Sequence, residues 1–290
     1  MKLTTSTYIS KLAAKHKVEK PATSPNFDED EVAGQGVECE FQFRELVGAL
    51  QWVATIARPD VARPVNLLAI YLSDPVTKHR SSAALRVLRY LLGTRDLGIS
   101  YSSDRETAFS RELAGVQQRE SGPSSVMPVP KLNLFSDASF ASCRKSLNSI
   151  SGAVLFFRGV PILWRSKRQT IRAYSTMESE WIAASDAIKM AESAGFLDFW
   201  SRGNTQGGSP LPDDLWVWVD NKSAITAAAS EEIKPKSKHF ALRHARVKEE
   251  HKRLKFCPTH LQRADGLTKF VSALSRIQIF GTTPQGKGGE

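Results

Sequence analysis

The rhythm of apolar and polar positions changes near residue 130. Upstream, apolar residues recur every three or four positions. FRELVGALQWVATIA follows this spacing and stops before Pro59. VARPVNLLAIYLSD and SSAALRVLRYLLGT repeat it; the second aligns Ala84, Leu85, Val87, Leu88 and Leu91 in one stripe that Gly93 ends. Residues 41–100 are therefore expected to be mostly helical, followed by a short strand in LGISYSS. Tyr8, Ile9, Leu12 and Ala13 fit a short surface helix. The same stretch is Lys-rich with no acid before Glu19, as in organelle presequences, but it lacks arginine. Residues 21–40 are polar, acidic and carry Pro and Gly, and read as a linker. Residues 103–130 are poor in apolar side chains, end in SGPSSVMPVP and read as a second linker.

Downstream, the period shortens to two. KLNLFSDAS is strand-like, and SGAVLFFRGVPILWRSKRQTIRAYS reads as two or three strands joined at a tight Gly-Val-Pro turn. MESEWIAASDAIKMAESAGFLDFW is a long helix and SRGNTQGGSPLPDD a loop. LWVWVD is a strand, NKSAITAAAS and KSKHFALRHARVKEEHKRL are helices, and KFCPTH is a last strand before a short helix around Arg263–Phe270. Hairpins followed by alternating strands and helices predict an α/β fold with a mixed sheet and helices on its faces. The expected division is 1–102 mostly helical, 103–130 linker, 131–275 α/β, and 276–290 a disordered tail of Gly, Pro and Lys.

Composition narrows the function. Of 290 residues, 41% are hydrophobic and 24% charged, enough to bury a core without disulfides. Cys39, Cys143 and Cys257 are odd in number and far apart. This excludes a disulfide framework and a cysteine zinc cluster, and points to a reducing intracellular compartment, cytoplasm or nucleus. No run approaches 18 apolar residues, so no membrane span is expected. The net charge of +10 is uneven: 16 Lys/Arg face 15 Asp/Glu in residues 1–130, and 24 face 15 in residues 131–290. The second half is the one suited to a polyanion.

Against that basic background, carboxylates gather at element ends. Asp137 ends a strand in LFSDAS. Asp220 ends another in LWVWVDN, where alternation puts Trp216, Trp218 and Asp220 on one face. Ligands collect at strand ends in open α/β sheets, so these two acids can share a site. On the long helix, Ser175 through Glu178 form a capping-box pattern, which gives Glu178 a structural task. Glu180 shares a face with the small residues Ala183, Ala184 and Ala187, a face able to lie close on a sheet, and is the chemical candidate. Asp265 opens the last helix in QRADGLTK. Singly, each acid also fits a cap, a turn or a solvated surface. As a set, they suit a hard divalent cation such as Mg²⁺.

The residues then resemble a known family. FRELVGALQWVATIARPDVARPVNLLAIYLSDPVTKHRSSAALRVLRYLLGT is similar to the segment after the polymerase core in copia-type retrotransposon polyproteins. LFSDASFAS, ISGAVLFFRGVPILWRSKRQT, STMESEWIAA, VDNKSAI, KSKHF and RADGLTK follow in the order of that family's ribonuclease H domain. The resemblance covers residues 5–275. It implies an RNase H-like fold, a five-stranded mixed sheet flanked by helices, preceded by a mostly helical thumb- or connection-like remnant of reverse transcriptase. It implies Mg²⁺-dependent hydrolysis of the RNA strand of RNA–DNA hybrids, with two Mg²⁺ ions (Mn²⁺ as a substitute) on Asp137, Glu180, Asp220 and Asp265. Asp137 would bridge the ions, one serving the attacking water and the other the leaving 3′ oxygen. The reverse-transcriptase metal motif is absent, so polymerisation by these residues alone is not expected. Many RNases H place a mobile histidine about ten residues before the last acid; here that place is Lys255, and the nearby His260 reads as a surface residue at a strand end.

Substrate contacts are expected on both sides of the acids. Ser139, Asn221 and Ser223 can read 2′-hydroxyls or simply cap helices. Trp164, Arg165, Lys167, Arg168 and Arg172 form the densest basic-aromatic run, suited to a phosphate backbone or to protecting a strand edge. The helix carrying Lys238, His239, Arg243, His244, Arg246 and Lys248 has the same two readings. Two other functions remain open: a silent or reused nucleic-acid-binding remnant, and a non-polymerising structural partner of a reverse transcriptase that docks through residues 41–100. The polymerase part of the same polyprotein or a second copy of the chain would be the protein partner.

Overall fold

The computed structural model describes residues 2–122, 127–193, 211, 214–229 and 238–280. The end of the expected long helix beyond 193, most of the loop before Leu215 and the tail from 281 lie outside the described residues.

The first region is a packed set of helices, as the 3.6-residue spacing predicts: α1 (Ser6–Lys15), α2 (Glu29–Ala33), α3 (Phe43–Ile56), α4 (Ala62–Ala69) and α5 (Lys78–Gly93). Ile9, Leu46, Leu50, Val65, Val87 and Leu88 close one core among them. The stretch 21–40 differs from a plain linker. Asp28 caps α2 by accepting from the backbone N–H groups of Asp30 and Glu31, and Val32 is buried. Where Pro59 stops α3, Arg58 and Asp60 form a fully buried bidentate pair at 2.9 and 2.7 Å. Tyr90 of α5 donates to the same carboxylate at 2.8 Å. Strand β1 (Lys2–Leu3) pairs antiparallel with β2 (Ile99–Ser100).

The second region is a five-stranded mixed sheet: β3 (Leu132–Ser139), β4 (Ile150–Phe157), β5 (Val160–Arg168), β6 (Leu215–Val219) and β7 (Leu254–Phe256), in the order β5-β4-β3-β6-β7. The β3–β4–β5 meander is antiparallel, and β6 and β7 add in parallel. The β4–β5 turn lies one position before the expected Gly-Val-Pro. Phe157 pairs with Val160 across Arg158 and Gly159, both at positive φ, as a two-residue type I′ turn requires. Pro161 instead enters edge strand β5, where the register slips, a place that tolerates its missing N–H.

Each face of the sheet has its own core. Leu132, Leu134, Leu155 and Val217 meet Trp181, Ala184 and Ile188 of α7 (Thr176–Ser193). Phe135, Val154, Phe156 and Trp218 face the other way. That second face is covered by a helix where a linker was expected: α6 (Ser103–Ser121), with Phe109, Leu113 and Val116 buried. Only three apolar side chains, about one turn apart, do this, so the average composition hides them. The local signals agree with a helix: Ser102 caps the Arg105 N–H at 3.3 Å, Asp104 and Glu106 fill the first turn, and Gly122 follows the end at φ 79°. The expected tail also begins later than position 276. Helix α11 (Ala273–Gln278) runs through it, and Arg276, Ile279 and Phe280 are buried. Helices α8 (Lys222–Ala229), α9 (Lys238–Glu249) and the single turn α10 (Asp265–Thr268) complete the region. No helix among the described residues is long and apolar enough to cross a membrane.

Candidate metal centre

Strand alternation and parallel register bring the first two acids together. Phe135 and Asp137 share a face of β3, as Trp218 and Asp220 do beyond β6. Phe135 pairs with Trp218; continuing that register by two residues sets Asp137 beside Asp220. On its other side Asp137 pairs with Gly152 of β4. A Cβ at Gly152 would lie 2.7 Å from Thr268 Cγ2 and 2.9 Å from the Ala264 carbonyl, so the missing side chain is what lets α10 lie on the strand. That contact delivers Asp265. Carboxylate oxygens of Asp137, Asp220 and Asp265 all lie within 4.8 Å of one another.

Glu180 arrives from α7. The helix start is fixed as the capping pattern predicts, with Ser175 Oγ accepting from the Glu178 N–H at 3.1 Å. Glu178 reaches back one residue further than a standard box, to the Tyr174 N–H at 2.7 Å. Two residues on, Glu180 is buried at 6% exposure and accepts from the Ala138 N–H, next to Asp137. Its Oε2 is buried without any hydrogen-bond partner.

The electrostatics are those of a site short of positive charge. Asp137, 2% exposed, has its pKa pushed up to about 7 by burial first, then by Asp265 and Asp220. Burial and the charges of Asp137 and Asp220 push Glu180 up to about 9. Burial and Asp265 also raise Asp220. Thr268 Oγ1 donates to Asp137 Oδ2, and Lys269 Nζ pairs with Asp265 at 2.8 Å. Burial opposes the charge on Lys269, but the neighbouring acids prevail and its pKa rises. Four carboxylates with one partly exposed lysine form an all-oxygen donor set, and the orphaned Glu180 oxygen has room for a bond that no protein donor fills. Asp137, Asp220 and Asp265 can therefore hold a metal ion, a hard divalent cation being the best match for these donors.

Comparison with known proteins finds relatives along most of the chain. No protein-family model matches the chain. It is 28% identical over 268 residues to the retrovirus-related Pol polyprotein from transposon RE2 of Arabidopsis thaliana, covering 91% of this chain. It is 25% identical over 244 residues to the corresponding polyprotein from transposon TNT 1-94 of Nicotiana tabacum, covering 83%. Along most of its length the chain is similar to Pol polyproteins of copia-type retrotransposons. It spans 16% of the length of each of those two relatives. It is also 32% identical over 149 residues to secreted RxLR effector protein 161 of Plasmopara viticola, covering 51% of this chain and 88% of that protein.

The other expected contacts divide. Asn221 Oδ1 accepts from the Ala224 N–H at 3.0 Å, a helix cap rather than a free reader. Ser223 is exposed on the first turn of α8, and the Ser139 carbonyl accepts from Ser142 at 3.0 Å. Arg165 and Lys167 lie beside α7, in a shallow groove lined by Ser151, Ala183 and Asp186, with Arg165 exposed. Arg168 hydrogen-bonds Cys143. The Trp164 indole donates to the Ala54 carbonyl at 2.8 Å and fastens α3 to the sheet edge. Arg172 donates to the Ser146 carbonyl at 3.0 Å. Along α9, Arg243 pairs with Asp186, and Arg246 pairs with Glu192, Glu249 and Glu250, while His244 stacks on Trp181. The side chains of Lys238 and His239 lie outside the described residues. Lys255 rests over the Trp216 ring, and His260 is exposed. Thr268 and Gly152 escape a reading by sequence, because each matters only through a neighbour more than 100 residues away.

Proposed function

We propose that this chain is the ribonuclease H part of a copia-type Pol polyprotein, an endonuclease that hydrolyses the RNA strand of RNA–DNA hybrids with Mg²⁺. The observation that carries the reading is the convergence of Asp137, Asp220 and Asp265 within 4.8 Å at the end of two parallel central strands, with buried Glu180 beside them. The five-stranded mixed sheet with helices on both faces supports an RNase H-like fold.

Asp137, Glu180, Asp220 and Asp265 would hold two Mg²⁺ ions, or Mn²⁺ in their place. Bound there, the ions supply a lowered pKa for the attacking water and charge stabilisation for the leaving oxygen. Asp137 lies within 4.8 Å of both Asp220 and Asp265 and would be shared by the bound cations, and the Thr268 hydroxyl orients it. Burial and the neighbouring acids favour the protonated forms of Asp137 and Glu180, and a bound cation would favour the charged ones. Arg165 and Lys167, on the groove beside α7, face the phosphate backbone, and Ser139 and Ser223 lie at the element ends nearest the acids. The small share of the Pol relatives that the chain spans supports the polymerase part of the same polyprotein as its neighbour.

The test is a labelled RNA–DNA hybrid incubated with the chain in Mg²⁺ and in EDTA, beside duplex DNA and duplex RNA. Metal-dependent cutting of the RNA in the hybrid alone is expected. Tight binding without cutting replaces the enzyme by a silent nucleic-acid-binding remnant.

A further inference from the structure

We propose that Arg63 is a positioning residue for the carboxylate cluster, through which the N-terminal helices set the cluster's affinity for divalent cations. The proposal rests on reading the cluster as a cation site. Helix α10 has four residues, Asp265–Thr268, too few to hold its own shape, and its last carbonyls lack partners within the helix. The carbonyl of Thr268 is taken by a residue 205 positions away: Arg63 of α4 donates from Nε at 3.0 Å. Thr268 also gives its hydroxyl to Asp137. One residue thus joins Arg63 on its main chain to the central aspartate on its side chain.

Arg63 is held just as firmly from behind. Its guanidinium is 1% exposed and reaches both carboxylate oxygens of Glu29 in α2, at 3.1 and 3.3 Å. It lies over the Phe270 ring at 5.8 Å, and Phe270 meets Phe27 edge-on at 5.1 Å. On the far side, Arg276 donates to Asn26 at 3.1 Å. The turn that follows Asp265 is therefore clamped by residues 26–29 and Arg63, all in the stretch before the sheet. A core-filling role would require only bulk at position 63; the directed bond to Thr268 predicts an effect on the metal site.

The experiment measures Mn²⁺ binding to the full chain by electron paramagnetic resonance, with thermal unfolding in EDTA as the control for folding. Arg63→Met should weaken Mn²⁺ binding roughly tenfold to a hundredfold, the usual effect of removing a group that orients a ligand. Arg63→Lys should recover part of it, since an ammonium can reach one of the two partners. Glu29→Gln, at a partly exposed position, removes the counter-charge and one of the two acceptors that hold Arg63 from behind and should weaken binding in the same direction. It decides the matter if Arg63→Met does not fold. Unchanged affinity in folded Arg63→Met, or in Glu29→Gln, overturns the proposal. Absence of Mn²⁺ binding by the unaltered chain overturns the cation reading on which it rests.

Discussion

Asp60 and Asp137 are both buried aspartates of one chain, and their surroundings are opposite. Asp60 has a bidentate arginine and a tyrosine hydroxyl on its two oxygens. Asp137 has one threonine hydroxyl and is otherwise ringed by Asp220, Asp265 and Glu180. A buried charge is costly unless paired, so the first arrangement is complete within the protein and the second is not. The difference teaches where to look for a ligand: at the carboxylate whose partners are other carboxylates.

Exchange of each acid for its amide separates the two most sharply. Asp60→Asn leaves Arg58 buried without its counter-charge and should cost roughly 3–5 kcal/mol in thermal unfolding, with hybrid cleavage by the remaining folded chain unchanged. Asp137→Asn should reduce cleavage to background, leave hybrid binding intact or stronger, and stabilise the metal-free chain at pH 7 by a few kcal/mol, about 2–4. Cleavage that survives Asp137→Asn removes the proposed site.

The pH dependence of the metal-free chain is the next effect in size. A carboxyl with a raised folded pKa binds its proton more tightly folded than unfolded. Its contribution is fully present below its ordinary pKa, about 4, and is lost as pH climbs through the folded value. Asp137, at about 7, and Glu180, at about 9, should therefore make the melting temperature in EDTA fall between pH 4 and 9. Excess Mg²⁺ should flatten that decline at its upper end, because cations replace the protons. A melting temperature that rises over this range would mean the acids are neutralised by something else.

The smallest effect discriminates between two glutamates two residues apart. Glu178→Ala removes a cap and should cost about 1 kcal/mol of stability with cleavage per folded molecule unchanged. Lost cleavage at normal stability would exchange the roles of Glu178 and Glu180.

What was legible in the sequence followed from local periodicity. Two-residue alternation put Asp220 on the face of Trp216 and Trp218, and the alanines after Glu180 marked the helix face that lies on the sheet. What was hidden depended on a few side chains or on distant ones. Helix α6 was masked because Phe109, Leu113 and Val116 are its only deeply buried apolar residues. Trp164 stands in a basic-aromatic run in the sequence, but its partner is a carbonyl 110 positions upstream. The part played by Gly152 follows from the Cβ it lacks.

The bond between Thr268 and Asp137 spans 131 positions of chain. Such contacts pay their loop-closure entropy late, after the hairpins and helices have formed. During synthesis, the β3–β4–β5 meander can assemble while Asp265 is still inside the ribosome. A nascent chain stalled before that point carries three of the four acids and no finished cluster, so the cutting chemistry proposed for this segment is withheld until the turn that carries Asp265 has been translated.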